Sequence, residues 1–118
     1  MRLWKGSFEV GQAIDIETIM GLIIHGGNAK SDAMEAIHAA KKDDFALAAE
    51  KLESSDKSLV EAHHAQTSLL TQEASGEAMT VSLLAVHSQD HLMNAITFKD
   101  LASEVVDVYK KLAGVAID

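Results

Sequence analysis

Cysteine and proline are both missing from this 118-residue chain, and aromatic residues are scarce, with one tryptophan, one tyrosine and three phenylalanines. Without cysteine there are no disulfides, no thiolate metal sites and no cysteine nucleophile. Without proline nothing in the sequence forces a helix to stop or kink, and the abundant alanine, leucine, glutamate and lysine favour long helices. Basic residues are also few: 10 Lys and Arg stand against 18 Asp and Glu, for a formal net charge of -8. Such a chain is a poor partner for nucleic acid, whose phosphates call for Lys and Arg. No apolar run reaches the roughly 20 residues that span a bilayer. The opening Met1-Arg2-Leu3-Trp4-Lys5-Gly6 lacks the apolar segment of a signal peptide. The expectation is a soluble, cytoplasmic protein.

What is present suits one domain. With 47% hydrophobic and 24% charged residues the chain can build a packed core. Met1 to Asp15 shows no helical period and reads as an irregular terminus or tag remnant, with Trp4 and Phe8 as possible caps on the core. The rest, from Ile16 to Asp118, reads as a single all-α domain, an antiparallel three-helix bundle. Its first helix is expected from about Ile16 to Lys42, with a buried stripe of Ile19, Ile23, Gly26, Ala33, Ile37 and Ala40. Gly26 and Gly27 each cost a helix about 1 kcal/mol relative to alanine, so they imply close approach of another group. Asp43-Asp44 breaks the pattern and offers an N-cap. The second helix is expected from Asp44 to Ala74, with Phe45, Ala48, Leu52, Ser55, Leu59, Ala62, Gln66 and Leu69 in a heptad-like stripe that includes two polar positions. Ser75-Gly76-Glu77 forms the next turn, Thr80 can cap a third helix from Val81 to Leu112, and Gly114 suits its C-terminal cap.

The third helix carries the densest chemistry. In Val86-His87-Ser88-Gln89-Asp90-His91-Leu92-Met93, the side chains of His87, Asp90 and His91 are three and four residues apart and share a face. The apolar arc of Phe98, Leu101, Ala102, Val105, Tyr109 and Leu112, extended back, passes through Leu83, Leu84, His87 and His91, with Asp90 at its edge. Val86, Met93 and Ile96 lie on the other side. The stretch is therefore expected to be buried nearly all round. A histidine on an apolar face is commonly a satisfied core residue, but an aspartate buried beside two of them calls for a pairing or a ligand.

Two Glu-x-x-His patterns, Glu35 with His38 and Glu61 with His64, match the spacing of di-iron bundles. At about 1.5 Å per residue they stand ~19 Å apart in height across the first turn, too far to share a metal. Both glutamates read as surface charges. The same arithmetic puts His25, His64 and His87 near one level.

Three stretches resemble one known family: Ile24-His25-Gly26-Gly27-Asn28-Ala29, Glu61-Ala62-His63-His64-Ala65-Gln66-Thr67, and above all the run from Val81 to Met93 with its HxQDHLM block. They resemble the IIA components of the lactose/cellobiose/N,N'-diacetylchitobiose class of the bacterial phosphoenolpyruvate-dependent sugar phosphotransferase system (PTS), over about Glu17 to Leu112. The resemblance implies a homotrimer with nine helices. It implies that His87 accepts a phosphoryl group from the phosphocarrier HPr and passes it to a cysteine of the cognate IIB component, with a IIC component as the only link to the membrane. It also implies that Asp90 meets its two symmetry mates around a divalent cation such as Mg²⁺ at the trimer axis. Gln89 and His91 are placed to support the phosphoryl site. Imidazole is a competent nucleophile near neutral pH and forms a labile phosphoramidate, and a helix apolar on both sides needs more than one three-helix subunit to cover it. The alternative is a non-catalytic helical adaptor or regulatory module with core histidines.

Overall fold

The computed structural model describes residues 2–77 and 81–117, with side chains from residue 16 onward. It contains three helices: α1 (Arg2–Lys41), α2 (Phe45–Ala74) and α3 (Leu83–Leu112). Cross-helix contacts fix their directions. Ser54 donates to Asp32 and Ser55 to the carbonyl of Ala29, so α2 climbs as α1 descends. Gln66 reaches Gln89 and Lys99 reaches Asp56, so α3 is antiparallel to α2 and parallel to α1.

Each helix ends in the same way. After Lys42, Ser75 and Ala113 the chain takes one residue of positive φ, Asp43 (60°), Gly76 (96°) or Gly114 (74°). The amides of that residue and of the one after it donate back to the last turn, as in Gly114 to Lys111 at 3.2 Å and Val115 to Lys110 at 2.8 Å. Two glycines and an aspartate supply the left-handed residue that this closure requires. Asp44 caps α2, its carboxylate accepting from the amide of Leu47 at 3.1 Å. The hydroxyl of Ser82 does the same for α3 through Ala85. The cap of α3 is thus Ser82, and the helix starts at Leu83 rather than Val81; Thr80 lies outside the described residues.

The structure corrects the start of α1. Residues 2–15, expected to be irregular, continue the helix. A helical period in a sequence reports which face is buried. Backbone helix needs only residues that do not break it, and neither glycine in this stretch is a sufficient break at about 1 kcal/mol. The suggestion that Trp4 or Phe8 caps the core falls on side chains outside the described residues.

Small residues dominate the interior. Ala29, Ala33, Ala36, Ala40, Ala48, Ala62, Ala95 and Ala102 are fully buried. One cluster joins Ala36, Ala39, Ala40, Ala48 and Val106, flanked by Phe45, Leu52 and Tyr109. The other joins Leu22, Ala62, Leu69 and Leu92, flanked by Leu59, Ala65 and Ile96. Close helix packing of this kind leaves little room for large side chains, and many of these point outward instead.

The inward stripe of α3 is Ala85, Ser88, Leu92, Ala95, Ala102 and Val106. This departs from the expected arc: Leu101 and Leu112 are exposed, as are His87 and Asp90. Lys99 occupies the gap in the inward stripe, burying its stem and carrying its ammonium out to Asp56 at 2.8 Å. Opposite, Leu83, Val86, Asp90 and Met93 form a second stripe at three- and four-residue spacing. Its apolar members are exposed at 87%, 53% and 52% respectively. The stretch is therefore not buried all round within one chain.

Candidate phosphoryl-transfer site

Local packing on α3 sorts the four candidate side chains onto two sides of the helix. Ser88, between them in sequence, is fully buried and its hydroxyl donates back to the carbonyl of Ala85 at 2.7 Å. With Ser88 fixed inward, His87 emerges on the α1 side. Its exposed imidazole lies against that of the half-buried His91, one turn later, with ring centroids 5.9 Å apart and planes inclined by 28°.

His91 in turn rests on α1. A methyl group in place of the Gly26 hydrogen would come within 3.2 Å of His91 Cδ2, and one on Gly27 within 3.4 Å of Nε2. Gly26 is therefore explained by the ring it admits, while Gly27 lies at ordinary contact distance from the same ring. Beyond them a shallow hollow of about 380 Å³ is lined by Gly27, Lys30, Ser31, Met34, His91 and Phe98. Lys30 brings an exposed cation to this edge. The sequence offered a signal for it: Lys30 follows Gly26 by four residues and so shares its face.

Gln89 and Asp90 belong elsewhere. Gln89 is two residues from His87, about 200° around the helix, and it turns toward α2. There its Oε1 accepts a hydrogen bond from Gln66 Nε2 at 2.7 Å. Gln89 and Asp90 line a second hollow, of about 440 Å³, together with Leu69, Val86 and Met93. Within one chain the structure thus brings His91 to His87 and keeps Gln89 away. Gln66, a residue given only a stripe position by the sequence, turns out to be the partner of Gln89.

Asp90 is exposed between Val86 and Met93. Among the described residues of one chain no three His, Asp or Glu side chains converge to hold a metal ion.

The Glu-x-x-His residues are separate from this site. Glu35 pairs with Lys51 at 2.8 Å on the α1–α2 surface. Its carboxylate, by hydrogen bond and then by charge, holds the Lys51 ammonium above the usual lysine range. Glu61, His38, His63 and His64 are exposed.

Known proteins resemble this chain in sequence and in fold. A family model described as "PTS system, Lactose/Cellobiose specific IIA subunit" matches residues 17–110. The lichenan-specific phosphotransferase enzyme IIA component of Bacillus subtilis (strain 168) is 50% identical over 96 residues, covering 81% of this chain and 87% of that protein. The PTS system N,N'-diacetylchitobiose-specific EIIA component of Escherichia coli (strain K12) is 43% identical over 96 residues, covering 81% and 83%. Among solved structures, the PTS cellobiose-specific enzyme IIA from Bacillus anthracis superposes with a TM-score of 0.84 at 46% identity, covering 86% of this chain and 94% of that one. The IIA(chitobiose) of the Escherichia coli phosphotransferase system, solved in complex with HPr, gives 0.74 at 40% identity, covering 84% and 96%.

Proposed function

The chain belongs to the lactose/cellobiose-specific IIA family of the phosphotransferase system, and on that premise we propose that His87 is its phosphoryl carrier, loaded by HPr and discharged to a cysteine of a cognate IIB component. The observation that carries this reading is the pairing of an exposed imidazole, His87, with a half-buried one, His91, whose ring is held by packing on α1. A carrier needs a nucleophile that two partner proteins can reach in turn, together with a fixed neighbour that orients it. Transfer of this kind depends on alignment and charge compensation more than on covalent machinery.

In the loading step a ring nitrogen of His87 attacks phosphorus, and the bond from phosphorus to the donor breaks as the N–P bond forms. In the discharge step a thiolate sulfur of the IIB component attacks the same phosphorus, the N–P bond breaks and the imidazole is regenerated. His91 lies close enough to orient the His87 ring or to donate to the phosphoryl oxygens. Lys30 supplies positive charge at the edge where the dianionic group would arrive. The solved complex of a relative with HPr supports HPr as the donor.

The working unit in this reading is a homotrimer. The exposed stripe of Leu83, Val86 and Met93 on α3, with Leu70 on α2, is apolar surface that a single chain leaves to solvent. Burying that stripe against other copies would bring Asp90 carboxylates together, and these would hold a divalent cation that offsets their mutual repulsion. Because Gln89 faces away from His87 of its own chain, its amide serves His87 of a neighbouring copy. No helix among the described residues is long and apolar enough to cross a membrane. The chain then works in the cytoplasm, with a IIC component as its only link to the bilayer. Incubation with phosphoenolpyruvate, enzyme I and HPr tests the reading: an acid-labile, base-stable label on the chain supports it, and the absence of any label rejects it.

A further inference from the structure

Among the described residues, Gln66 is the polar side chain of α2 whose hydrogen bond runs straight into the candidate site. An amide has an acceptor end and a donor end, and which end faces a neighbour decides what the other end offers. Gln66 Nε2 donates to Gln89 Oε1 at 2.7 Å, in a part-buried setting between α2 and α3. The oxygen of Gln89 is thereby engaged on the α2 side. Its NH₂ group is left to point away from Gln66, and Gln89 also lines the hollow shared with Val86, Asp90 and Met93.

From this we infer that Gln66 is a positioning residue for phosphoryl transfer: by occupying the carbonyl of Gln89 it holds that amide with its N–H donors toward the phosphoryl group. The inference rests on the reading that Gln89 of one copy supports the His87 phosphoryl of another. The chemistry gives the orientation its importance. A phosphoryl group is anionic and accepts hydrogen bonds through its oxygens, so an NH₂ group stabilises it and a carbonyl oxygen repels it. Were Gln89 to rotate by half a turn about its last side-chain bond, the same residue in the same place would oppose the reaction. Gln66 prevents this at the cost of a second polar position, after Ser55, in the inward stripe of α2.

Substitutions of opposite hydrogen-bonding sense isolate the effect. Gln66→Glu can only accept when ionised, so Gln89 must turn its NH₂ to it and present its carbonyl. Gln66→Lys can only donate and keeps the native sense. Phosphoryl transfer from phospho-HPr, followed by rapid quench, should fall on the order of a hundredfold in kcat/KM for Gln66→Glu and about tenfold for Gln66→Leu, while Gln66→Lys stays within about threefold of the parent. Sedimentation and far-UV circular dichroism should be alike across the three. Equal rates for the Glu and Lys variants, or a slower Lys variant, would overturn the inference. Gln89→Leu is measured alongside. If it transfers normally, the reading of Gln89 fails and the inference with it; if it is slow while Gln66→Glu is normal, the inference alone fails. A measurement on the unaltered protein needs no variant to fold: the scalar coupling across the hydrogen bond should run from Gln66 Nε2 to the Gln89 carbonyl carbon. Coupling in the opposite sense would contradict the assignment.

Discussion

Gly26 of α1 sits directly beneath the imidazole of His91 on α3, so closely that a methyl group on it would lie 3.2 Å from Cδ2 and 3.8 Å from Nε2 of that ring. The contact ties a weakness in one helix to the orientation of a side chain in another. Two glycines in mid-helix sacrifice about 2 kcal/mol of helix propensity. What Gly26 permits is a histidine packed firmly enough to serve as a fixed neighbour for His87.

That relationship makes the two glycines separable by substitution. Gly26→Ala gains helix propensity but forces the His91 ring aside by a few tenths of an ångström. It should change thermal stability little and slow phosphoryl transfer several-fold. Gly27→Ala meets the ring only at 3.4 Å, an ordinary contact. It should raise stability by about 0.5–1 kcal/mol and leave transfer nearly unchanged. Differential scanning calorimetry and the phospho-HPr assay, run on both variants, check the pair. Indistinguishable kinetics for the two would show that the position of His91 does not depend on Gly26.

Asp90 gives an electrostatic test. In the proposed trimer, carboxylates converging from several copies repel one another unless a cation offsets them, so a chelator should loosen the assembly. Asp90→Leu removes charge and ion together and fills the space with apolar atoms. Replacements of this type are often neutral or stabilising, by roughly 1–4 kcal/mol. The variant should sediment as a trimer with or without chelator and melt no lower than the parent. Dissociation to monomers would mean that Asp90 makes a hydrogen bond which assembly requires.

Residues 1–15 lie ahead of the family match, which begins at residue 17. A truncated chain starting at Ile16 is expected to keep its oligomeric mass and its thermal midpoint within about 2 °C, since a shift of 1 kcal/mol would move Tm by about 4–8 °C in a domain of this size. Analytical ultracentrifugation and a thermal melt decide the matter. A larger drop would assign Trp4 or Phe8 a place in the core.

Much of the bundle was legible in the sequence, and the exceptions have a common cause. All eight stripe positions expected on α2 are buried or half-buried, including Ser55, whose buried hydroxyl donates to Ala29 at 2.7 Å. On α1, Ile19, Gly26, Ala33 and Ala40 are buried as expected. On α3 the arc was misplaced because hydrophobic weight follows the largest residues. Ala102 is buried as expected, but Leu101 and Leu112 drew the arc outward, whereas the closely packed core also takes Ala85, Ser88 and Ala95. Spacing put His87, Asp90 and His91 on one face; the structure keeps His87 with His91 and places Asp90 with Val86 and Met93. The division that puts His91 with His87, and Gln89 with Gln66, depends on which face of α3 meets which helix, and a single helical wheel does not contain that information.

The most direct measurement is the labelling of His87→Ala. Incubated with enzyme I, HPr and labelled phosphoenolpyruvate, the parent should take up an acid-labile phosphoryl group. His87→Ala should take up none while its far-UV helical signal and oligomeric mass persist, because an exposed imidazole contributes little to packing. His91→Ala should still be labelled, at a reduced rate. Label that survives in His87→Ala but disappears on replacement of His63, His64 or His91 would contradict the assignment of His87 as the carrier.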